Sequence, residues 1–568
     1  MRDGYSVSKV RAAEAALMAL APDGALMQRA AAGLAAVCGD VLRAGAGGVY
    51  GARVVILTGS GDNGGDALYA GERLARRGAA VIAIAAGERV HAKAAAALTA
   101  AGGRIVSVPS AHSGPPWPAQ TRTWAGSEVR PGEVPPGEAA AGRAVDAGGA
   151  AEAGGAMAAS GGQERFDVGY DIRHAIGYAD LIVDGMLGIG GHGGLREPYA
   201  TLAQLAANAR NATTVAVDLP SGVDADTGAV SGPAVRADVT VTFGAVKPGL
   251  LVDPGAGHAG VVELIDIGLG PHLDGPPAAS APQGRDIAGL LPRPTAESDK
   301  YRRGVVGLLV GSDRYTGAAL LATGGAVRGG AGMVRLVTFP GAATAVRQVH
   351  PEVVITELER ETGTHSGSSG LDLREGNSQF PQGVGRVQAW TAGSGMGTDD
   401  AAARRLAAVL ATSLPVLIDA DGLTLLAQHR ELLPRPAPTL LTPHAGELGR
   451  LLDADPADIE ARRLEHARRA ATKLGACVLL KGSTTVIAPP DGLDPVLVNT
   501  TGTPWLATAG TGDVLAGLAG ALLAQGLLPP QAAICAAYLH GMAARLAAAG
   551  RAGGADGTDG EHGLRGAA

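Results

Sequence analysis

Short apolar runs rich in β-branched residues recur along the chain, and most of them end at a glycine-rich or acidic loop. An apolar run of that length is typical of a strand that is buried on both faces of a parallel sheet. Helical patterns separate some of the runs, for example at residues 65–77 and 199–207. The alternation predicts an α/β protein with mostly parallel sheets. The predicted strands cover residues 54–58, 81–85, 181–184, 214–218 and 239–243 in the first half and 305–310, 333–338, 416–419, 439–442 and 478–481 in the second.

The two series of strands predict two domains in the 568 residues. A linker rich in Gly and Pro at residues 268–282 separates them, so we assign residues 1–275 and 283–550 to the two domains. Residues 109–165 and 361–385 lack apolar periodicity, and we expect disordered insertions there because neither segment can bury enough surface to offset its ordering entropy. We also expect a disordered tail at residues 551–568.

Charge and composition argue against several classes of function. The 47 basic and 54 acidic side chains give a net charge of -7, so a chain-wide basic surface for nucleic acid is not expected. The cysteines, at positions 38, 477 and 535, have neither metal-ligand spacing nor a disulfide pattern. The charged N-terminal segment does not resemble a signal peptide, and we expect a cytoplasmic protein. Lysine is rare and occurs only at positions 9, 93, 247, 300, 473 and 481.

One segment, residues 514–544, contains no charged side chain when histidine is counted as neutral. Gly526, Pro529 and Pro530 interrupt it. Because these residues break a continuous apolar helix, we predict two buried helices joined by a turn, and no membrane partner.

The motif GSGDNGGD directly follows the first predicted strand and precedes a predicted helix. Its glycines allow close approach of backbone to ligand, and free N–H groups at a helix start favour anions. Asn63 and Asp66 add oxygen ligands, while Asp184 and Asp218 end two other predicted strands and Ser221 follows the second. Since ligands bind at the carboxyl ends of strands in open α/β sheets, we expect one crevice that suits a hard cation. A tight turn and helix capping by single aspartates are the structural alternatives.

Four motifs, GSGDNGGD, DLIVDGMLGIG…LREPY, VDLPSGVDADTG and TFGAVKPGLL, resemble in this order the NAD(P)H-hydrate (NAD(P)HX) epimerase family over residues 10–268, apart from the insertion. The resemblance implies a Rossmann-like domain that interconverts the R and S forms of hydrated nicotinamide cofactors. It implies K+ bound by Asn63, Asp184 and Ser221, and Asp218 as the acid/base. The implied substrate-binding residues are Asp62, Asn63, Gly64, Gly65, Asp66, Gly188, Ile189, Gly190, Gly191, His192, Gly193, Gly194 and Asp218.

These motifs depart from the family pattern in three places, one of which is Ala67, where Gly is common. The usual Asn-Asn pair is Asp62-Asn63 here, and residues 192–194 read His-Gly-Gly where Ser-Arg-Pro is usual. The loop therefore lacks an arginine next to a phosphate-bearing ligand, and Arg196 is a candidate replacement. This departure motivates an alternative in which the epimerase half is inactive.

In the second half, AGTGDVLAG at residues 509–517 opens an apolar helix, whose free N–H groups and dipole can hold an anion. Asp513 lies in the first turn, where a carboxylate can act as a base toward a substrate hydroxyl or simply stabilise the helix. Lys481 ends a predicted strand and precedes Gly-Ser-Thr-Thr, which suits nucleotide phosphates although it is not a P-loop. His444 and Glu447 follow another strand end.

Seven motifs, SDKYRRG, GSDRYTGAALLA, GSGMG, LIDADGL, LTPHAGE, LKGSTT and AGTGDVLAG, resemble the ADP-dependent NAD(P)HX dehydratase domain of the ribokinase-like superfamily over residues 286–549. The resemblance implies Asp513 as the catalytic carboxylate, and ADP with Mg2+ at this site. The implied NAD(P)HX contacts are Ala318, Gly395, His444 and Asp513. The implied nucleotide contacts are Lys481, Gly482, Ser483, Thr484, Thr485 and Gly512. The fold expected for the whole chain is two three-layer α/β/α domains, the first Rossmann-like and the second ribokinase-like.

The order of the two domains is that of the family's bifunctional repair enzymes. The resemblance implies that the first domain equilibrates R- and S-NAD(P)HX and that the second removes water from the S form to restore NAD(P)H. Two alternatives stay open: a ribokinase-like small-molecule kinase with a non-catalytic nucleotide-binding N-terminal domain, and a binding protein whose epimerase half is inactive. We expect the NAD(P)HX epimers and ADP as ligands, no nucleic acid, and a homo-oligomer. Lys481 is the lysine to substitute first.

Overall fold

The structure, a computed structural model, describes residues 1–87, 89–108, 168–191, 193–359, 382–492 and 495–553. The predicted insertions and tail lie wholly or largely outside these ranges, and so does His192, so those expectations stay predictions.

The elements of the first half are β1 (Arg2–Gly4), α1 (Val7–Met18), α2 (Ala25–Gly45), β2 (Arg53–Thr58), α3 (Asp62–Arg76), β3 (Ala80–Ala85), α4 (Ala92–Ala100), β4 (Arg104–Ser107), α5 (Val168–Gly177), β5 (Leu181–Gly185), α6 (Tyr199–Asn208), β6 (Thr213–Val217), β7 (Val239–Phe243), α7 (Ala256–Ala259) and β8 (Val261–Ile265). Those of the second half are β9 (Ala279–Ala281), α8 (Gly284–Leu290), β10 (Val305–Leu309), α9 (Thr316–Arg328), β11 (Met333–Thr338), α10 (Pro340–Val349), β12 (Val354–Glu357), β13 (Ala389–Ala392), α11 (Asp400–Leu410), β14 (Val416–Ile418), α12 (Asp421–Gln428), β15 (Thr439–Leu441), α13 (Ala445–Leu452), α14 (Pro456–Ala461), α15 (Arg463–Leu474), β16 (Cys477–Leu480), β17 (Thr485–Ala488), β18 (Val496–Asn499), α16 (Thr511–Ala524) and α17 (Pro529–Gly553).

The first half contains a seven-stranded sheet of order β4-β3-β2-β5-β6-β7-β8, in which all neighbouring strands are parallel. Strand β2 shows why both faces are covered. Val54 and Ile56 enter a core shared with helices α2 and α3, whereas Val55 and Leu57 enter a second core shared with α5 and α6. Successive side chains of a strand point to opposite faces, so a continuous apolar run requires helices on both sides.

The second half contains an eleven-stranded mixed sheet of order β1-β9-β18-β17-β16-β15-β14-β13-β10-β11-β12. Antiparallel pairing is limited to β1 with β9, β16 with β17 and β17 with β18. Val305 and Leu309 of β10 face one core, and Val306 and Leu308 face the other. The predicted α/β fold class with two layered domains is confirmed.

The strand order reverses between β2 and β5 in the first sheet and between β10 and β13 in the second. After β2 the chain adds β3 and β4 on one side and then returns to build the other side from β5 onward. Ligands of open α/β sheets bind outside the carboxyl ends of strands at such switch points. The topology therefore places one crevice in each half.

The segment that we predicted as a linker, residues 268–282, contains strand β9, which pairs with β18 of the second sheet. Strand β1, from the start of the chain, pairs with β9 on its other side, with Arg2 opposite Ala281. The Ser280 hydroxyl donates to Asp3 Oδ1 at 2.6 Å. Main-chain pairing thus connects both ends of the first half to the second half. The sequence did not predict this pairing, because three-residue strands leave no recognisable pattern.

A hydrophobic cluster also crosses from one half to the other. Leu219, Val223 and Leu250 of the first half belong to the same buried cluster as Leu480 and Val486 of the second. The two halves therefore share part of one core instead of meeting across a polar linker.

The uncharged segment near the C-terminus forms two helices, α16 and α17, joined by a turn, as predicted. Among the described residues, α2 and residues 529–550 of α17 are long and apolar enough to cross a membrane by length and composition. Each of them buries side chains inside the protein, including Leu34 and Leu42 of α2 and Ile534 and Cys535 of α17. These side chains belong to the hydrophobic cores of the first and second halves, respectively.

Deleting residues 1–4 is expected to destabilise the second half although the deleted strand comes from the start of the chain. The deletion removes the pairing of β1 with β9, and a backbone hydrogen bond contributes about 1 kcal/mol net. We expect Tm to fall by roughly 4–8 °C for a loss of about 2 kcal/mol. Thermal unfolding followed by circular dichroism measures this, with Arg2→Ala as the control that keeps the main-chain pairing. An unchanged Tm in the deletion variant would contradict the role of β1.

Candidate active sites

The first site begins where β2 and β5 end side by side. The Gly59 N–H donates to the Gly185 carbonyl at 3.1 Å. A Cβ on Gly59 would lie 2.0 Å from the Met186 carbonyl oxygen, and a Cβ on Gly64 would lie 2.3 Å from the Gly59 carbonyl oxygen. These two glycines of GSGDNGGD are therefore required by the close approach of the two strand ends.

The structure brings Asn63, Asp184 and Ser221 into one network. Asp184 is fully buried, its Oδ1 accepts from the Ser221 hydroxyl at 2.7 Å, and its Oδ2 accepts from the Ser221 N–H at 2.8 Å. The Asn63 amide donates to two backbone carbonyls, at 2.7 and 3.3 Å, and its Oδ1 faces the Gly188 backbone, where a Cβ would lie 2.3 Å away. Burial raises the pKa of Asp184 to about 6, although the hydrogen bonds from Ser221 lower it. No basic side chain in the described ranges forms an ion pair with Asp184.

Part of the predicted substrate loop lies over this network. A cavity of about 10 Å³, close to the volume of one water-sized sphere, adjoins it. The cavity is lined by Leu187, Gly188, Gly191, Gly193, Pro220, Ser221, Gly222 and Val223. Ile189 packs partly against the apolar core, and its carbonyl accepts from Arg11 Nη2 at 3.4 Å. Gly190 lies beside the same guanidinium, whereas Gly194 lies against the backbone of Ser231.

Asp218 follows β6 and forms a buried ion pair with Lys247. Its backbone has φ +67°, which is unusual for a residue other than glycine and is common at functional sites. Asp218 Oδ1 accepts from the Thr242 hydroxyl at 3.1 Å, from the Phe243 N–H at 3.3 Å and from Lys247 Nζ. Lys247 is a functional candidate that our site assignments did not include, although the rarity of lysine in this sequence drew attention to it.

Asp62 and Asp66 lie at the start of helix α3. Asp62 is exposed, whereas Asp66 is buried and its Oδ1 has no hydrogen-bond partner. Burial raises the pKa of Asp66 well above its ordinary value, and the carboxyls of Asp218 and Asp62 add to the increase. Gly65 packs under Met27, where a Cβ would lie 3.0 Å from the Met27 Cε atom, so this glycine serves helix packing.

The second site is built around Lys481, at the end of β16. Its Nζ lies 2.7 Å from Asp419 Oδ1 and 3.7 Å from Glu447 Oε2. The Thr442 hydroxyl donates to the same Asp419 oxygen at 2.9 Å. Burial by itself lowers the pKa of Lys481, but Asp419 and Glu447 outweigh it and raise the pKa. The ammonium is therefore held as a cation at the carboxyl ends of β14, β15 and β16.

Asp513 lies in the first turn of α16, beside this ion pair. Helix α16 begins after Gly510, which has φ +88°. A Cβ on Gly512 would lie 3.6 Å from Lys481 Nζ and 3.9 Å from Asp419 Oδ2, so the helix start and the lysine face the same space. Burial raises the pKa of Asp513, and this increase exceeds the lowering by Ser394 and by Lys481.

The predicted nucleotide loop, residues 481–485, is braced by Arg463, which sequence reasoning missed. This arginine is fully buried and donates to the Lys481 carbonyl at 2.7 Å. A Cβ on Gly482 would lie 2.0 Å from Arg463 Nη2, so Gly482 is needed for this packing. The Thr484 hydroxyl accepts from the Asp253 N–H of the first half at 3.0 Å. Thr485 is already the first residue of β17, and the Ser483 carbonyl lies against Gly502.

A cleft of about 470 Å³ opens at the second switch point, between the ends of β10 and β13. It is lined by Ser312, Asp313, Arg314, Tyr315, Phe339, Met396, Gly397, Thr398, Asp399 and Asp421. Ala318 and Gly395 are in contact beside it, since a Cβ on Gly395 would lie 2.9 Å from Ala318 Cβ. His444 caps helix α13, with Nδ1 accepting from the Gly446 and Glu447 N–H groups. Its side chain is still more than half exposed.

The two α/β halves, each with candidate site residues at the carboxyl ends of its strands, are typical of a two-part α/β enzyme. Residues 23–122 and 142–249 match the family model of the YjeF-related protein N-terminus, and residues 306–559 match the NAD(P)H-hydrate dehydratase model. The chain is 43% identical over 537 residues to the bifunctional NAD(P)H-hydrate repair enzyme Nnr of Mycobacterium tuberculosis, covering 94% of this chain and 91% of the relative. It is 42% identical to the Mycobacterium leprae enzyme of the same name, covering 97% and 95%.

The chain therefore belongs to the family of bifunctional NAD(P)H-hydrate repair enzymes, and the resemblance stated from the motifs is confirmed. Among solved structures, the chain is similar to an ADP/ATP-dependent NAD(P)H-hydrate dehydratase from Bacillus subtilis that was co-crystallised with ATP and Mg2+. The identity is 30%, with 47% of this chain and 89% of that chain covered and a TM-score of 0.39.

Proposed function

We propose that the first half interconverts R- and S-NAD(P)HX and that the second half eliminates water from the S form to give NAD(P)H, with ADP as the nucleotide. The observation that carries this function is the presence of two separate carboxylate sites, at Asp218 and at Asp513, in a chain that matches bifunctional relatives over both halves. A small-molecule kinase would need only the second site. The cytoplasmic location and the homo-oligomer stay predictions from the sequence.

In the first half, Asp218 is the acid/base that accepts and returns a proton while the hydroxyl-bearing ring carbon inverts. A carboxylate that a lysine holds in a buried ion pair is oriented to accept that proton. The backbone of residues 188–194 and the start of α3 bind the substrate. Asp66, whose buried Oδ1 has no hydrogen-bond partner among the described residues, contributes a polar contact.

K+ fits the network of Asn63, Asp184 and Ser221. The amide and hydroxyl oxygens are neutral, and the one carboxylate is buried without a basic partner among the described residues. A single negative charge with neutral oxygen donors suits a monovalent cation. Bound K+ would neutralise Asp184 and fix the substrate loop that lies above it.

In the second half, Lys481 and the N–H groups at the start of α16 would hold the phosphates of ADP, and Mg2+ bound with the nucleotide would offset part of their charge. A Cβ on Gly512 would lie 3.6 Å from Lys481 Nζ, so the lysine and the N–H groups of the helix start can act on the same anion. The cleft beside Tyr315 and Met396 holds NAD(P)HX. Asp513 accepts the proton of the ring hydroxyl as the hydroxyl oxygen takes the terminal phosphoryl group of the nucleotide. Phosphate then leaves, and loss of a proton from the neighbouring ring carbon completes the double bond.

Asp218→Asn and Asp513→Asn are expected to separate the two activities. Asp513→Asn should lower dehydratase kcat by about 100-fold or more, because general base catalysis contributes 10²–10⁴-fold, while ADP still binds. Asp218→Asn should abolish epimerisation of R-NADHX and leave dehydration of pure S-NADHX unchanged. Chromatographic separation of the epimers and the appearance of NADH measure the two steps. Wild-type turnover in either variant would remove that aspartate from its role.

The dehydratase rate is expected to fall on the acid side at a pH above the ordinary pKa of an aspartate. Asp513 must be ionised to act as a base, and its pKa is raised, so activity is lost as the pH falls through that raised value. Asp421 raises the pKa of Asp513 and Lys481 lowers it. Asp421→Asn should therefore move the acid limb to lower pH and Lys481→Met to higher pH, with saturating ADP. If the acid limb lies at the same pH in the wild type, Asp421→Asn and Lys481→Met, Asp513 is not the titrating base.

K+ is expected to raise the Tm of the wild-type chain by a few degrees relative to choline chloride at equal ionic strength, because a ligand of the folded state stabilises it. Asp184→Asn should abolish the effect, whereas Asp171→Asn, in helix α5, should retain it. Scanning calorimetry measures the shift without depending on activity. An equal K+ effect in Asp184→Asn would refute this site.

A further inference from the structure

Lys247 has no role in the assignments above, yet its environment is specific. The side chain is 1% exposed, and its ammonium group contacts three acceptors. These are Asp218 Oδ1, the Thr242 hydroxyl at 3.0 Å and the Phe243 carbonyl at 3.2 Å. Every N–H of the ammonium therefore has a partner.

A buried ammonium is costly, because its desolvation amounts to several kcal/mol. The residues around it, such as Val246 and Leu250, are apolar and buried, so packing alone does not require a charge at this position. Buried ion pairs are often replaceable by apolar residues without loss of stability. The retained charge is better explained by what it does to Asp218.

The surroundings of Asp218 are otherwise acidic. Three carboxyls interact electrostatically with Asp218 or with one another: those of Glu14 in α1 and of Asp62 and Asp66 in α3. The cations that face these carboxyls are Lys247 and Arg11, and both lower the pKa of Glu14. Clustered carboxyls repel one another, and a cation bonded to one of them offsets that repulsion and orients the carboxyl that it contacts. Among these carboxyls, Asp218 is the one bonded to Lys247.

The hydrogen bonds on Asp218 are also one-sided. The Thr242 hydroxyl, the Phe243 N–H and Lys247 all donate to Oδ1. A carboxylate anchored at one oxygen presents the other, Oδ2, in a fixed direction. The positive φ of Asp218 contributes to the same orientation.

We propose that Lys247 is a positioning residue of the epimerase, which together with Thr242 anchors Oδ1 of Asp218 as a carboxylate and leaves Oδ2 to exchange protons with the substrate. This inference rests on the proposed epimerase function of Asp218.

The test is conversion of pure R-NADHX to the S epimer by the full chain without ADP, corrected for the uncatalysed rate. Lys247→Met is expected to lower kcat by about 100-fold with little change in KM, because the substrate does not contact Lys247. In Lys247→Ala, added propylamine should restore part of the rate and propanol should not. Lys247→Met with wild-type kcat would overturn the proposal.

The dehydratase activity of the same variant on S-NADHX with ADP reports whether the chain is folded. Should Lys247→Met lose that activity as well, Thr242→Val decides, because it keeps both charges and removes one donor from Oδ1. A lower epimerase kcat at unchanged dehydratase activity supports the proposal, and a wild-type kcat overturns it. Asp218→Asn distinguishes a failure of this inference from a failure of the proposed epimerase function. An active Asp218→Asn would refute the function proposed for Asp218. An inactive Asp218→Asn together with an active Lys247→Met would refute only the role of Lys247.

Discussion

The close approach of two neighbouring parallel strand ends in each half is the constraint on which both sites depend. In the first half, Gly59 leaves room for the Met186 carbonyl, which a Cβ would meet at 2.0 Å. In the second, Gly393 has φ +131° and a Cβ there would lie 1.8 Å from the Asp419 carbonyl oxygen. Larger residues at either glycine would push the strand ends apart. The carboxylates at those ends would then lose the partners that orient them.

Each half uses a lysine to hold an aspartate at the end of a strand, but the two pairs differ in exposure. Lys247 is 1% exposed and can act only through Asp218, whereas Lys481 is 21% exposed and can also contact a ligand. The difference matches the proposed chemistry. The epimerase needs an oriented base, and the dehydratase site needs a cation that reaches phosphates. Removing one partner of a buried pair is costly, about 3–5 kcal/mol, so both pairs also constrain the fold.

Much of the fold could be predicted because strands buried on both faces leave continuous apolar runs, as at residues 54–58 and 305–310. Residues 2–4 and 279–281 are too short and too polar for such a pattern, and their pairing depends on contacts between distant segments. The grouping of Asn63, Asp184 and Ser221 followed from strand ends meeting at one edge. The bracing of Gly482 by Arg463 did not, because a helical arginine carries no signal of which loop it supports.

The most direct test of the account is NADH formation by the full chain from each separated epimer, with and without ADP. S-NADHX should give NADH only when ADP is present, and R-NADHX should also give NADH with ADP, faster than its uncatalysed epimerisation allows. Without ADP, R-NADHX should yield the S epimer but no NADH. Failure to form NADH from S-NADHX with ADP, together with phosphorylation of a small molecule by ATP, would contradict the account and favour a kinase.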